Sequence, residues 1–138
     1  MKVLSVMTEK VLKVRMDDSL ETIRDILETV PFHHLLVVQD NKLVGIISDR
    51  DILKFLDQFL QSNAVNRDAV VSLESKKAHQ IMTHHPITID KDTNVELAVK
   101  IMLRNNISAL PIVSSEGCIQ GILTWRDILR SYMPALKQ

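Results

Sequence analysis

Two nine-residue stretches of this sequence carry the same polar side chains at the same spacing: GIISDRDIL at residues 45–53 and GILTWRDIL at residues 121–129. In each, a glycine precedes two apolar residues, a hydroxyl, an arginine and an aspartate. The aspartate offers two acceptor oxygens that match the two donors of a ribose diol, and the arginine can donate charge-assisted bonds to a phosphate. This spacing therefore supports binding of a polar, phosphorylated ligand.

A strand that ends at the hydroxyl, followed at once by a helix, would position these side chains. The first turn of such a helix presents unpaired N–H groups and the positive end of its dipole, where phosphates bind. The apolar pair before the hydroxyl could wall a flat base, so base, diol and phosphate together describe a nucleotide. The candidate residues are Ile46, Ser48, Arg50 and Asp51 in the first stretch and Ile122, Thr124, Arg126 and Asp127 in the second.

The same residues also fit a helix cap that needs no ligand. Ser48 with Asp51, and Thr124 with Asp127, have the hydroxyl-to-acid spacing of a capping box. The two interpretations are compatible, because one polar strand end can cap a helix and contact a ligand. The residues alone leave both open.

The two stretches belong to a longer internal repeat. An offset of 75 residues aligns Met7-Thr8 with Met82-Thr83 and residues 35–38 with residues 110–113. Gly45 and Gly121 lie 76 residues apart, so one residue has been added between these points, in the turn QDNK against SSEGC. We infer an internal duplication. A unit of this size would bury little core alone, which favours two units packed together.

Each repeat predicts the element order β-α-β-β-α and hence an α/β (α+β) fold. Extended pieces are expected at residues 11–15 and 87–90. Helices then start at the cap residues Asp18 and Thr93, each with a glutamate three positions later, and Pro31 marks the end of the first helix. Two short strands follow, at residues 33–38 and 42–48 or at 109–113 and 118–124.

A second helix closes each repeat, from Asp49 to about Leu60 and from Trp125 to about Met133. We expect the repeats to cover residues 3–60 and 78–133. Residues 61–77 then form a linker that is partly helical near Arg67–Leu73.

Composition excludes several classes of function. The 138 residues include 17 basic and 17 acidic ones, which gives no electrostatic case for nucleic acid or an anionic membrane. No apolar run is long enough to span a bilayer. Cys118 is the only cysteine, so no disulfide forms within one chain. We expect a soluble, cytoplasmic protein without nucleic-acid or membrane partners.

The motif G-h-h-[ST]-x-x-D-h, preceded by M-T and an L-P-h-V strand, resembles the CBS domain, named for cystathionine β-synthase. GIISDRDI and GILTWRDI fit in full, whereas LLVV lacks the proline that LPIV has. The resemblance covers about residues 3–60 and 78–133, so the chain resembles a CBS pair, also called a Bateman module. It implies tandem β-α-β-β-α CBS repeats related by pseudo-twofold symmetry.

The resemblance implies clefts between the repeats that hold AMP, ADP, ATP or S-adenosylmethionine, with no required cofactor. By this resemblance, Asp51 and Asp127 would hold the ribose, and Ser48 and Thr124 would contact the ribose or a phosphate. Ile46 and Ile122 would line the base. Residues borrowed from the other repeat are Thr83, Thr88, Ile107, Ser108 and Ala109 towards the first motif, and Thr8, Lys13, Phe32, His33 and His34 towards the second.

The resemblance also implies a homodimer. We therefore predict a regulatory module, an energy or metabolite sensor that acts on an effector protein. The alternative is a ligand-free dimerisation scaffold. Two features depart from a clean nucleotide site: Trp125 could stack on adenine or plug the cleft, and Asp49 adds negative charge near a phosphate.

The histidine pairs His33-His34 and His84-His85 raise a metal-dependent enzyme as a remote alternative. Adjacent side chains point apart on a strand, and no acid or cysteine lies at ligand spacing beside them. Donation from His33 or His34 to a phosphate is the better functional interpretation. We expect no enzyme, because the sequence lacks a nucleophile with a base, a Walker-type loop and paired acids.

Overall fold

The computed structural model describes residues 1–30, 33–62 and 66–133. Pro31, the predicted end of the first helix, lies outside them. After a 3₁₀ turn at Val3–Ser5, the elements are β1 (Lys13–Arg15), α1 (Leu20–Thr29), β2 (His34–Gln39), β3 (Lys42–Ser48), α2 (Asp49–Ser62), α3 (Arg67–Glu74), α4 (Ala78–Ile81), β4 (Thr83–His84), α5 (Val95–Asn105), β5 (Ala109–Val113), β6 (Ile119–Thr124) and α6 (Trp125–Tyr132).

The chain forms two compact units that do not coincide with the repeats. The first-repeat unit is Leu12–His85, and the second-repeat unit is Met1–Val11 with Pro86–Gln138. In the first-repeat unit four strands pair in the order β1-β2-β3-β4. β1 runs parallel to β2, and the other neighbours are antiparallel. The core under this sheet includes Ile23, Leu35, Val37 and Ile47.

The second-repeat unit reproduces this sheet with shorter edges. β5 and β6 pair antiparallel. Single bridges join Ile89 in parallel to Ile112, and Thr8 in antiparallel to Ile122. These bridges are the equivalents of β1 on β2 and of β4 on β3, so the duplication extends to strand register. The predicted first strand of this repeat, residues 87–90, is thereby reduced to one bridge.

The one-residue addition also lies where it was predicted. In the first repeat β2 and β3 are joined through Asp40 and Asn41, both with positive φ, as in a two-residue type I′ turn. In the second repeat Val113 pairs with Ile119, and the longer turn contains Gly117 with φ 84°. A turn absorbs the extra residue without disturbing the ladder on either side.

The N-terminal segment of each repeat packs with the other repeat. We call residues 1–11 the first lead-in and residues 76–85 the second lead-in. Val3 N–H donates to Thr93 O in the second-repeat unit, and Ala78 N–H donates to Asp18 O in the first-repeat unit. The two lead-ins are therefore exchanged. The first lead-in completes the sheet and core of the second-repeat unit, and the second lead-in completes those of the first-repeat unit.

This exchange corrects the predicted caps of α1 and α5. The N-cap residues are Ser19 and Asn94, one position later than Asp18 and Thr93. The carbonyls of Asp18 and Thr93 accept from the lead-ins, which keeps the backbone extended for one more residue. Asp18 instead accepts from Arg15 N–H at 2.7 Å and closes the preceding turn.

The predicted helix near Arg67–Leu73 is confirmed by α3. The short helix α4 and the two-residue strand β4 were not predicted, because each is too short to carry a periodic pattern. Within residues 1–30, 33–62 and 66–133, no helix is both long and apolar enough to cross a bilayer.

Both motif glycines lie where a lead-in crosses the sheet. A Cβ on Gly121 would lie 2.7 Å from the Thr8 carbonyl oxygen, which is backbone. A Cβ on Gly45 would fall on the Met82 thioether and lie 3.1 Å from the Thr83 carbonyl oxygen. A glycine inside a strand lets another backbone or a ligand approach closely, and here the lead-in backbone approaches both glycines.

We predict that Gly121→Ala destabilises the protein more than Gly45→Ala. Overpacking of this kind costs about 1–3 kcal/mol. Gly121→Ala should lie at the upper end because the opposing atom is a backbone carbonyl, whereas the Met82 thioether can rotate away. Urea unfolding followed by circular dichroism measures both free energies, and an equal or larger loss for Gly45→Ala would contradict the prediction.

Candidate functional site

The first motif forms a reciprocal cap between β3 and α2. Asp51 Oδ2 accepts from Ser48 N–H at 2.8 Å and from Ser48 Oγ–H at 3.0 Å. In return, Asp51 N–H donates to Ser48 Oγ at 3.2 Å. The strand end and the first helical turn are therefore locked together by one carboxylate, and the capping interpretation is confirmed here.

The second motif repeats this geometry between β6 and α6. Asp127 Oδ2 accepts from Thr124 N–H at 2.9 Å and from Thr124 Oγ1–H at 3.1 Å. Asp127 N–H lies 3.4 Å from Thr124 Oγ1. The two motifs are thus equivalent in hydrogen bonding as well as in sequence.

A lead-in threonine binds the second oxygen of each carboxylate. Thr83 Oγ1–H donates to Asp51 Oδ1 at 2.9 Å, and Thr8 Oγ1–H donates to Asp127 Oδ1 at 2.8 Å. The resemblance had placed Thr83 near the first motif and Thr8 near the second, and each lies there within one compact unit. Each aspartate therefore joins a strand end, a helix start and a lead-in.

The two carboxylates differ in accessibility. An ionised carboxylate accepts about four hydrogen bonds, and the described residues supply three in each motif, so among them roughly one acceptor direction on Oδ1 remains. Asp127 is 5% exposed, and Arg130 Nη2 lies 3.9 Å from its Oδ1. Asp51 is only partly buried. The carboxylate of the first motif is therefore the easier one for a solute to reach.

The other motif residues lie on either side of this junction. Ile46 and Ile122 precede the hydroxyls and bridge to the lead-in threonines Thr83 and Thr8. Arg50 and Arg126 lie in the first turns of α2 and α6 and are exposed. Each motif therefore presents an apolar strand position before the hydroxyl and a cation between the hydroxyl and the carboxylate.

His33 lies at the first motif's helix. Its Nδ1 is 2.9 Å from Asp49 Oδ2, and both side chains are about half exposed, at 47% and 56%. His34 pairs with Ser48 across β2 and β3. Sequence reasoning missed the His33–Asp49 contact, because only the strand register brings these residues together. Phe32 lies outside the described residues.

Ser108 and Ala109, which are equivalent to His33 and His34, lie at the helix of the second motif. Trp125 N–H donates to Ser108 O at 3.3 Å, and Ala109 pairs with Thr124. Ile107 packs against the core of this unit. Within their units, His33, His34, Ser108 and Ala109 thus contact the motif of their own repeat. Lys13 and Thr88 are exposed, Lys13 on β1 and Thr88 before α5.

Among the residues that the structure describes, no group of three or more histidine, cysteine or acidic side chains is placed to hold a metal ion. His84 and His85 are exposed at β4 and just after it. His85 has φ 50°, which turns the chain out of the strand.

We predict that Thr8→Val destabilises the protein more than Thr83→Val. Losing the hydroxyl leaves a carboxylate oxygen one donor short, which costs about 1–3 kcal/mol when the group is buried. Asp127 is the more buried partner, so Thr8 should matter more. A double-mutant cycle with Asp127→Asn and Asp51→Asn, followed by urea unfolding, isolates each pair. Equal losses at the two positions would contradict this order.

Comparison with known proteins identifies the family. A model described as "CBS domain" matches residues 3–58 and 78–134. A CBS domain-containing protein of Dictyostelium discoideum is 34% identical over 133 residues, which are 94% of this chain and 90% of that protein.

Two solved structures share the fold at 28% identity. One is CBSX2 in complex with AMP, with a TM-score of 0.79 over 99% of this chain and 98% of that one. The other is the CBS domain pair of protein MJ0100 in complex with 5′-methylthioadenosine and S-adenosyl-L-methionine, with a TM-score of 0.80 over 100% and 98%. The duplicated motif, its shared geometry and these matches together make the chain a member of the CBS domain family with two CBS repeats.

Proposed function

We propose that this chain is a regulatory module that binds an adenosyl compound at its two carboxylate junctions. The observation that carries the proposal is that each motif holds an aspartate with one acceptor direction left, between an apolar strand position and a helix start. Similar CBS pairs have been solved with AMP and with S-adenosyl-L-methionine, which supports this ligand class.

In this proposal the remaining acceptor direction of each carboxylate takes a hydroxyl of the ribose. Ser48 and Thr124 lie within hydrogen-bond distance of those carboxylates and face the sugar or its phosphate. The arginine in the helix's first turn and the helix N-terminus favour a phosphate by charge. The flanking residues proposed to complete the two sites are Thr8, Lys13, Phe32, His33, His34, Thr83, Thr88, Ile107, Ser108 and Ala109.

Accessibility ranks the two sites. Because Asp51 is less buried than Asp127, we assign the first binding event to the first motif. Asp127 is almost fully buried, so Thr8 or Arg130 beside its Oδ1 has to move before a ligand can reach the remaining acceptor direction. The thermal-shift experiment below decides which ligand binds, among AMP, ADP, ATP and S-adenosylmethionine.

The output of the module is proposed to pass to other chains. Exposed apolar side chains on the helices, including Leu53 and Leu60 of α2, support a homodimer. The effector is a partner protein whose activity follows the occupancy of the two sites. On this account the module senses the energy or metabolite state of its surroundings.

A ligand-free dimerisation scaffold is the second candidate. It is favoured by the hydrogen bonds that already serve both carboxylates, because three protein donors in each motif give the aspartate a structural role without any ligand.

We predict that an adenosyl ligand raises the melting temperature of the wild-type protein. At a concentration about one hundred times Kd the stabilisation is about 2.7 kcal/mol, which amounts to several degrees for a domain of this size. Differential scanning fluorimetry with AMP, ADP, ATP and S-adenosylmethionine measures the shift, and isothermal titration calorimetry gives the number of sites.

Asp51→Asn and Asp127→Asn test the residues, because asparagine keeps a cap oxygen while altering the acceptor for ribose. Asp51→Asn should reduce the shift more than Asp127→Asn. Asp57→Asn, on the exposed part of α2, is the matched control and should leave it unchanged. Absence of any shift with all four ligands would favour the scaffold.

A further inference from the structure

The two motifs differ at one pair of positions that lie together in both repeats. In the first repeat, His33 Nδ1 lies 2.9 Å from Asp49 Oδ2, and Asp49 is the first residue of α2. The internal repeat places Ser108 and Trp125 at the equivalent positions, where Trp125 N–H donates to Ser108 O at 3.3 Å. Of these two pairs, therefore, only the first brings two ionisable side chains into contact at the start of a closing helix.

This difference changes the charge at the helix starts. The first turn of α2 holds two acids and one arginine, Asp49, Arg50 and Asp51, and so has a formal charge of −1. The first turn of α6 holds one acid and one arginine, Asp127 and Arg126, and so has a formal charge of 0. An acid in the first turn already interacts with the positive end of the helix dipole, which an anionic ligand would also use. The start of α6 therefore favours a phosphate more than the start of α2 does.

The groups around Asp49 add to this negative charge. Asp49 lines a groove together with charged side chains of α1 and α3, in which Arg24 Nη1 donates to Glu74 Oε1 at 2.9 Å. That ion pair is neutral, so the described lining residues keep a net negative charge. The charged and titratable groups around the His33–Asp49 pair include Arg50 and Asp51 on α2, His34 on β2, Glu21, Arg24 and Glu28 on α1, and Glu74 on α3.

We propose that the His33–Asp49 pair makes the first motif select adenosyl ligands by their charge. While His33 is neutral the pair carries one negative charge, which disfavours a phosphorylated ligand and favours a sulfonium cation such as S-adenosylmethionine. The second motif, with Ser108 and Trp125 at these positions, accepts a phosphorylated ligand without this repulsion. The inference rests on the proposed function and adds to it a difference in ligand class between the two motifs.

The separation of the charges sets the size of the effect. Asp49 lies within about one helical turn, roughly 5 Å along the axis, of any group that binds at the start of α2. This is shorter than the Debye length of about 8 Å at physiological ionic strength, so salt screens the interaction only in part. Removing the charge of Asp49 should therefore change the affinity for a charged ligand by about three- to tenfold.

Protonation of His33 cancels the charge of the pair. Histidine changes its charge between about pH 5 and 8. The side chains of His33 and Asp49 are both about half exposed, so solvent protons reach them. When His33 becomes a cation the pair is neutral, and the first motif accepts a phosphate more readily. The affinity of the first motif for a phosphorylated ligand therefore rises as the pH falls, whereas Ser108 gives the second motif no such response.

Three ligands that share the adenosine group test the charge preference. AMP is anionic, 5′-methylthioadenosine is neutral, and S-adenosylmethionine carries a sulfonium cation. Isothermal titration calorimetry at pH 8 gives their affinities, and the fluorescence of Trp125, the only tryptophan, reports on the second motif separately. Asp49→Asn should strengthen AMP binding and weaken S-adenosylmethionine binding at the first motif, each by about three- to tenfold, and leave the neutral ligand unchanged.

Asp57→Asn is the matched control, because it removes a carboxylate from an exposed position further along α2. It should leave the affinities for all three ligands as they are in the wild type.

The pH dependence tests His33. Between pH 8 and pH 6 the wild-type first motif should gain affinity for AMP relative to 5′-methylthioadenosine. His33→Gln should gain less, and His79→Gln, at an exposed position on α4, should gain as much as the wild type. The phosphate of AMP also titrates near about pH 6, but it does so equally with every variant, so the comparison isolates the histidine.

Several results would overturn the inference: no change in Asp49→Asn, an equal change for all three ligands, or a full pH response in His33→Gln. An equal change for all ligands would assign Asp49 a structural role, and circular dichroism checks that each variant is folded. Failure of all three ligands to bind the wild type would refute the proposed function and this inference with it. Binding that does not depend on ligand charge at the first motif would refute this inference alone.

Discussion

One carboxylate in each repeat holds three backbone segments in place. Asp51 and Asp127 accept with one oxygen from the N–H and the hydroxyl of the residue where the strand ends, and with the other from a lead-in threonine. Removing the acid would leave that N–H and the threonine hydroxyl without their acceptor, so the motif is structural before it is anything else. A ligand that binds the remaining acceptor direction contacts a carboxylate that already connects the strand, the helix and the lead-in. Ligand binding can therefore shift the positions of these three segments directly.

The glycines of the motif serve the same junction. The threonine can reach the carboxylate only if the lead-in backbone lies close beside the last strand. A side chain at Gly121 would meet the Thr8 carbonyl, and one at Gly45 would have to displace the Met82 thioether. Each junction therefore needs four groups together: the glycine, the hydroxyl, the aspartate and the threonine of the lead-in. The pattern that looks like a ligand signature in the sequence is, in the structure, first a requirement for closing each sheet with a segment from outside the repeat.

Much of this could be predicted from the sequence. The duplication follows from matches at an offset of 75 residues. The β-α-β-β-α order of the first repeat, α3 and the capping boxes of both motifs follow from spacings within about a dozen residues. What could not be predicted depends on pairings between distant segments. Three features depend on which backbone segments pair: the caps Ser19 and Asn94, the strand β4 and the contact between His33 and Asp49. Local residue propensity does not determine such pairing.

The exchanged lead-ins bear on how the chain is made. The hydrogen bond between Thr8 and Asp127 spans 119 residues, so the first lead-in completes a sheet whose last strand and helix are synthesised long after it. The second lead-in, by contrast, finds its partners in chain already synthesised. The half encoded first can therefore close while translation continues. The second-repeat unit cannot close until β6 and α6 have been synthesised, which makes its closure the slow, high-contact-order step of folding.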